Sequence, residues 1–167
     1  MTPDNYITFF VSGKPQTAGS KRVFLNRKTG RPIVTDDNKR SKDWRAAVTQ
    51  AASQVIDKPM SGPLEVTFEF CLPRPQGHRG AKGNLVPSAP AWPTTRPDVL
   101  KLARCAEDSL SGVSFLDDAQ IVRETLIKRY DDRIGVRITI RSLEAKVRIE
   151  ERHAAYQRSL LEAAHYA

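Results

Sequence analysis

The residues best suited to chemistry crowd into one stretch. Arg96-Pro97-Asp98 opens a segment that runs through Lys101, Arg104 and Asp108 to Gly112, and Asp117-Asp118-Ala119-Gln120 follows. Carboxylates from a helix start, a helix body and a neighbouring strand edge can converge on a divalent cation. Mg²⁺ takes hard oxygen ligands, with waters and a substrate phosphate completing its octahedron. Such an ion generates an attacking hydroxide and neutralises the phosphate, while a nearby Arg or Lys stabilises charge on the transition state. Asp98, Asp108, Asp117 and Asp118, with Arg104 and Lys101, are residues of these types. The ordinary alternative makes Asp98 a helix N-cap, Asp117-Asp118 a turn and Arg104–Asp108 a surface ion pair.

Other chemistries fit less well. Gly77, Gly80 and Gly83 lack phosphate-loop spacing, and there is no G-x-S-x-G for a serine hydrolase. Cys71 and Cys105 make neither a disulfide framework nor a zinc site, and His78, His153 and His165 are too far apart for a local ligand pair. Cys105 reads as a packing residue and the thiols as intracellular ones.

The elements that must position the acidic segment can be read from hydrophobic period. Val99, Leu102, Ala103, Ala106 and Leu110 fall on one side of a helix from about Val99 to Leu110, ended by Gly112. Lys101, Arg104 and Asp108 fall on the other side, and Leu100 and Glu107 are close in angle but two turns apart. Upstream, Tyr6 to Val11 reads as a strand, and Val23–Leu25 with Pro32–Val34 as a hairpin around Lys28-Thr29-Gly30. Asp36 or Asp37 is expected to cap a helix from about Asn38 to Ile56, with Trp44, Ala47, Val48, Ala51, Ala52 and Val55 on its apolar stripe. Leu64 to Phe70 alternates with period two, as a half-buried strand does.

Residues 73–97 hold six of the eleven prolines, with Arg74, His78, Arg79 and Lys82. Proline at that density blocks helices and inner strands, so a long loop is expected, either a basic arm that orders on a phosphate backbone or an inert insertion. Gln120–Lys128 and Arg133–Ile140 read as strands with Asp131-Asp132 as a turn, and Leu143 to about His165 favours a peripheral or dimer-forming helix.

A chain of 167 residues is the size of one domain. No apolar run approaches the roughly 20 residues of a membrane span, and no secretory signal is expected at the N-terminus. Residues 1–97 carry 15 Lys/Arg against 7 Asp/Glu, whereas residues 98–140 carry 7 against 8. Net charge of +8 distributed this way points to a polyanionic partner, nucleic acid before others.

The order Pro97-Asp98, then Asp108-Ser109-Leu110-Ser111-Gly112, then Asp117-Asp118-Ala119-Gln120-Ile121-Val122 resembles the signature of the RusA-type Holliday junction resolvases. In that family the pattern is Pro-Asp-x-Asp-Asn-Leu-x-Lys, a spacer, Asp-x-Leu, and Asp-Asp-x-Gln-[IV]. A Gly-Lys-Pro near the N-terminus, a basic hairpin and a strand leading into Pro-Arg-Pro extend the similarity over residues 6–141. The resemblance implies an α+β (mixed α/β) fold in residues 1–141, strands packed with two helices; the helix-favouring tail at 142–167 lies outside it. The resemblance also implies a homodimeric, cytoplasmic endonuclease that nicks four-way DNA junctions in recombination and repair, using Mg²⁺, with Mn²⁺ as the substitute. Two-fold symmetry suits a junction that is itself nearly two-fold. Flap or other branched DNA is a further substrate class, and phage or prophage origin is typical of the family.

Carried over residue by residue, two family aspartates fall on Asp98 and Asp118, and the family lysine falls on Arg104. The third aspartate falls on Leu100, which cannot bind metal, and the following Asn is Lys101. Glu107 is the compensating candidate, with the metal shifted down the helix onto Asp98, Glu107, Asp108 and Asp118. The alternative is a junction-binding protein that cuts weakly or not at all. DNA contacts are expected from Lys14, Lys21, Arg22, Arg27, Lys28 and Arg31, from Arg74, Arg79 and Lys82 in the loop, and from Lys101.

Overall fold

The computed structural model of the chain describes residues 6–19, 21–36 and 40–143. Six strands and two α-helices follow in the order β1 (Tyr6–Ser12), β2 (Lys21–Leu25), β3 (Pro32–Asp36), α1 (Ser41–Ser53), β4 (Leu64–Leu72), α2 (Val99–Leu110), β5 (Ile121–Tyr130) and β6 (Gly135–Ser142). Four strands form one sheet in the order β1-β6-β4-β5, and β2 with β3 forms a separate two-stranded sheet. β6 is antiparallel to β1 and β4, whereas β5 is parallel to β4. The architecture is therefore α+β, as the family resemblance implies.

Alternation along the strands sends one row of side chains toward the helices. Val66, Phe68 and Phe70 of β4 and Val136, Ile138 and Ile140 of β6 are buried with Trp44, Val48 and Ala52 of α1 and Leu102, Ala106 and Leu110 of α2. Burying that much apolar surface is the main driving force for the fold. The reverse face of the sheet carries Glu65 and Glu69 between arginines: Glu69 pairs with Arg129 at 3.0 Å and Arg137 at 2.8 Å, and Glu65 with Arg123 at 3.1 Å.

Both ends of α1 differ from expectation, and the turn and loop expectations gain detail. α1 begins at Ser41 after Arg40, with no side-chain cap, because Asp36 is the last residue of β3, opposite Lys21. The helix stops at Ser53, so Val55 lies beyond it and is exposed, while Ile56 is still buried. Asp131-Asp132 does form a turn, with Asp131 Oδ1 accepting from Arg133 N–H at 2.9 Å. The strands it joins are not paired, however, since β4 lies between them and Asp131 N–H donates to Leu72 O at 3.1 Å under its end. Finally, the proline-rich stretch folds back on β5: Arg74 donates to Pro90 O at 2.8 Å and stacks over the Tyr130 ring, which His78 meets edge-on. The expected tail helix lies outside the described residues, apart from Leu143, whose N–H donates to Pro63 O.

Gly135 sits where β6 crosses β1. A Cβ there would run into Val11 O and lie 2.6 Å from the Phe10 ring. Overpacking of this kind costs about 1–3 kcal/mol. Gly135→Ala should therefore lower the urea midpoint by a corresponding amount, and an unchanged midpoint would show that β1 yields without cost.

Candidate active site

The two ends of α2 differ in charge. Asp98 occupies the N-cap position without making a side-chain cap bond. Its carboxylate instead meets Lys101 at 3.4 Å. Around it, Thr17, Arg96, Pro97, Asp98 and Lys101 line an open cleft of about 440 Å³. Ala18 N–H donates to Lys101 O at 2.9 Å, so the segment after β1 is tied across the helix start. Lys128 of β5 closes the same end, its Nζ donating to Thr95 O at 2.8 Å and Pro97 O at 3.1 Å.

The other end is acidic. Burial pushes the Glu107 carboxyl up to about 7, reinforced by Glu124, Asp118 and Asp108 and opposed by Arg104. Glu124 is itself raised by burial. It occupies the register position opposite Val66, so it shares the helix-facing side of the sheet with core residues. That placement is the signal that a reading of the sequence can use: along β5, Glu124 and Lys128 are charged residues at the inward phase of a strand whose inward neighbour Leu126 packs on the core. Asp108 turns away toward α1, paired with Arg45 at 3.2 Å rather than with Arg104.

Asp118 is presented by a brace built on Gln120. The Gln120 Oε1 accepts from Leu116 N–H at 2.8 Å and Asp117 N–H at 3.1 Å, and its Nε2 donates to Met60 O and Gly62 O, each at 3.1 Å. Asp117 caps the short 3-10 turn at Asp118–Gln120 by accepting from Ala119 N–H at 2.8 Å. Phe115, fully buried, anchors the approach. The dipeptide Asp117-Asp118 thus divides its work: the first residue closes the turn, and the second carries its carboxylate outside that capping box.

The structure brings Glu107, Asp118 and Asp108 into electrostatic range of one another and adds Glu124, but leaves Asp98 apart. Lys128 binds beside Asp98, Ile121 pairs beside Leu64 at the Asp118 end, and the seven residue steps between them span about 23 Å of strand. Glu107 is itself about 14 Å down the helix axis from Asp98. The donor set has the hard carboxylate oxygens that Mg²⁺ takes. Within one chain the set is incomplete: among the described residues no three acidic, His or Cys side chains are grouped to hold a metal, so Glu107 and Asp118 would leave the remaining positions of the ion to water and phosphate. Arg104 and Leu100 are exposed on α2.

The expected DNA contacts are spread over several elements. Lys14 precedes the cleft, Lys21 and Arg22 belong to β2, and Arg27, Lys28 and Arg31 are exposed around the β2–β3 turn. In the proline-rich loop Lys82 is exposed, whereas Arg74 is held on Tyr130 and Arg79 pairs with Asp132 at 3.6 Å.

Comparison with known proteins places this geometry. The family described as endodeoxyribonuclease RusA matches residues 13–141, from the turn after β1 through β6. The uncharacterized protein YqaN of Bacillus subtilis (strain 168) is 28% identical over 142 residues, spanning 83% of this chain and 98% of that protein. No described helix is long and apolar enough to cross a membrane.

Two measurements probe the site without any substrate. A carboxyl whose pKa rises on folding binds more protons in the folded state, so its contribution to stability is complete below its unfolded value of 4.5 and is lost as pH rises through about 7. In metal-free buffer Glu107→Gln should melt above the parent at pH 8 and level with it at pH 4; an equal gap at both pH values would contradict this. Gln120→Ala leaves two N–H and two C=O groups without their partner. It should cost about 1–3 kcal/mol in urea unfolding.

Proposed function

From the premise that the chain belongs to the RusA endodeoxyribonuclease family, we propose that it is a divalent-metal-dependent endonuclease that resolves four-way DNA junctions by paired phosphodiester hydrolysis. Mg²⁺ is the cofactor this reading expects, with Mn²⁺ as the substitute, and a homodimer in the cytoplasm is the acting form. The observation that carries the reading is the braced turn: Asp118 is held out of the capping box by Asp117 and Gln120, beside Glu107. Four hydrogen bonds on one side chain are more than a surface turn needs, and they hold a carboxylate in a fixed place. Preorganised acids of this kind suit a metal-dependent hydrolase.

On the same reading, the cationic end of α2 receives the DNA backbone. Arg96 and Lys101 line a cleft of about 440 Å³, and Thr17 adds a hydroxyl to its wall. Guanidinium and ammonium groups bind phosphate by charge-assisted hydrogen bonds. The basic turn at Arg27, Lys28 and Arg31 extends the positive surface away from the core and positions the duplex arms without reading their sequence.

One observation favours a second reading. Leu100 stands where the family pattern has an aspartate, and it is 69% exposed, an apolar side chain in solvent where the pattern has a metal ligand. A protein that binds junctions and cuts them feebly would look the same at this position. Cleavage of a synthetic junction separates the two. With Mg²⁺ the parent should introduce paired nicks, and Asp118→Asn should lower nicking by at least a hundredfold while junction binding holds or tightens, since acids near phosphate repel it. Tight binding by the parent with no nicking in Mg²⁺ or Mn²⁺ would establish the second reading instead.

A further inference from the structure

Asp98 stands at the N-cap of α2, yet its side chain makes no cap bond. Aspartate is favoured at that position because it accepts from the first helical N–H groups. Here the carboxylate stays out of the helix's own hydrogen bonding, so its direction depends on how the main chain around it is held. On the helix side the Asp98 carbonyl accepts from Leu102 N–H at 3.2 Å. On the other side the chain arrives from the loop with six prolines, which have no N–H to give. Thr95 and Pro97 lie outside any helix or strand, and their carbonyls take a donor from elsewhere.

Lys128 is that donor. Its Nζ donates to Thr95 O at 2.8 Å and to Pro97 O at 3.1 Å, and Pro97 O belongs to the peptide that enters Asp98. Most lysines keep their ammonium in water, but Lys128 is a half-buried residue of β5. That strand is paired with β4 from Ile121 to Tyr130, so the anchor is as rigid as the sheet. Two residues further on, Tyr130 holds the start of the same loop, with the Arg74 guanidinium 4.2 Å above its ring. The end of β5 therefore grips the proline-rich loop at both of its ends.

We infer that Lys128 is a positioning residue for Asp98: its ammonium fixes the Thr95–Pro97 main chain against β5 and so holds the Asp98 carboxylate in place at the cleft. The catalytic consequence rests on the endonuclease reading; the support itself does not. Lys128 acts through Asp98 and not on the DNA. Lys101 does a different job, pairing with the carboxylate itself at 3.4 Å. Exposed ion pairs of that kind contribute little, so Lys101 cannot replace the main-chain support.

Lys128→Met keeps the length of the side chain and removes the donor. In the full chain without DNA, amide hydrogen exchange across residues 94–102 should quicken by about tenfold, while α1 and β4 keep parental rates. Aminoethylation of Lys128→Cys rebuilds an ammonium at lysine length, and Cys71 and Cys105 are buried away from the reagent. That product should return to parental exchange, and it carries the test if Lys128→Met does not fold. On a synthetic junction the single-turnover nicking rate of Lys128→Met should fall by about a hundredfold, the cost of a small misplacement of a reacting group. The salt slope of junction binding should stay parental, whereas loss of a phosphate contact would flatten it by about 0.9. In an Asp98→Asn background Lys128→Met should cost nothing further, because residues that act as one unit are not additive. A fully additive loss, a flattened slope or parental exchange across residues 94–102 overturns the inference and leaves the endonuclease reading standing. If the parent nicks nothing, that reading falls and exchange alone decides: quickened rates uphold the support by Lys128, and unchanged rates overturn it.

Discussion

The Gln120 side chain is the interaction on which the site depends. A neutral amide has one acceptor and two donor hydrogens, and here all are directed at backbone: two N–H groups at Leu116 and Asp117 and two C=O groups at Met60 and Gly62. Those contacts join the turn before β5 to the segment before β4. They therefore set the start of the parallel pair and the position of Asp118 together. A glutamate has the same shape but lacks the donors, and an alanine has neither function, so the pattern Asp-Asp-x-Gln is a statement about backbone satisfaction as much as about acids. Buried or half-buried peptide groups that lose a partner are costly, which is why one side chain can hold a loop in place.

α2 turns that fixed frame into an electrostatic axis. Its N-terminal end has cations around Asp98, and at its C-terminal end burial, with Glu124, Asp118 and Asp108 beside it, raises the Glu107 carboxyl to about 7. Helix and strand run alongside each other, so the polarity of one is repeated by the other: Lys128 lies at the cationic end of β5 and Glu124 toward the acidic end. Such a separation is unfavourable within one molecule, because like charges are held together at reduced solvation. It becomes favourable when an opposite charge arrives, whether a cation at the acids or a phosphate at the basic end.

The rest of the molecule keeps this axis rigid. The β4 and β6 core packs against both helices, while the reverse face of the sheet is stitched by Glu65 and Glu69 to flanking arginines. Surface ion pairs contribute little individually, but here each glutamate touches arginines on neighbouring strands and so marks their register. The β2–β3 hairpin is a separate two-stranded sheet. Isolated hairpins are marginal in water, and its basic turn is a surface that a polyanion can stabilise.

The amino-acid pattern by itself determined the strongly periodic elements. α2 was legible to the residue because Leu102, Ala103, Ala106 and Leu110 recur on a single face and Gly112 follows, and β4 because its alternation is regular. The start of α1 was not, since Asp36 suits a cap and a strand end equally, and only pairing with Lys21 decides between them. Family membership was readable from the motif spacing along the chain. What tertiary structure alone decided was distance: β4 inserts between β5 and β6, and α2 runs back along β5, so two aspartates twenty positions apart end at opposite ends of a helix. Period reports which face a residue occupies, because that is local geometry. Which ends of which elements meet is settled by strand pairing between distant segments, and no local pattern encodes that.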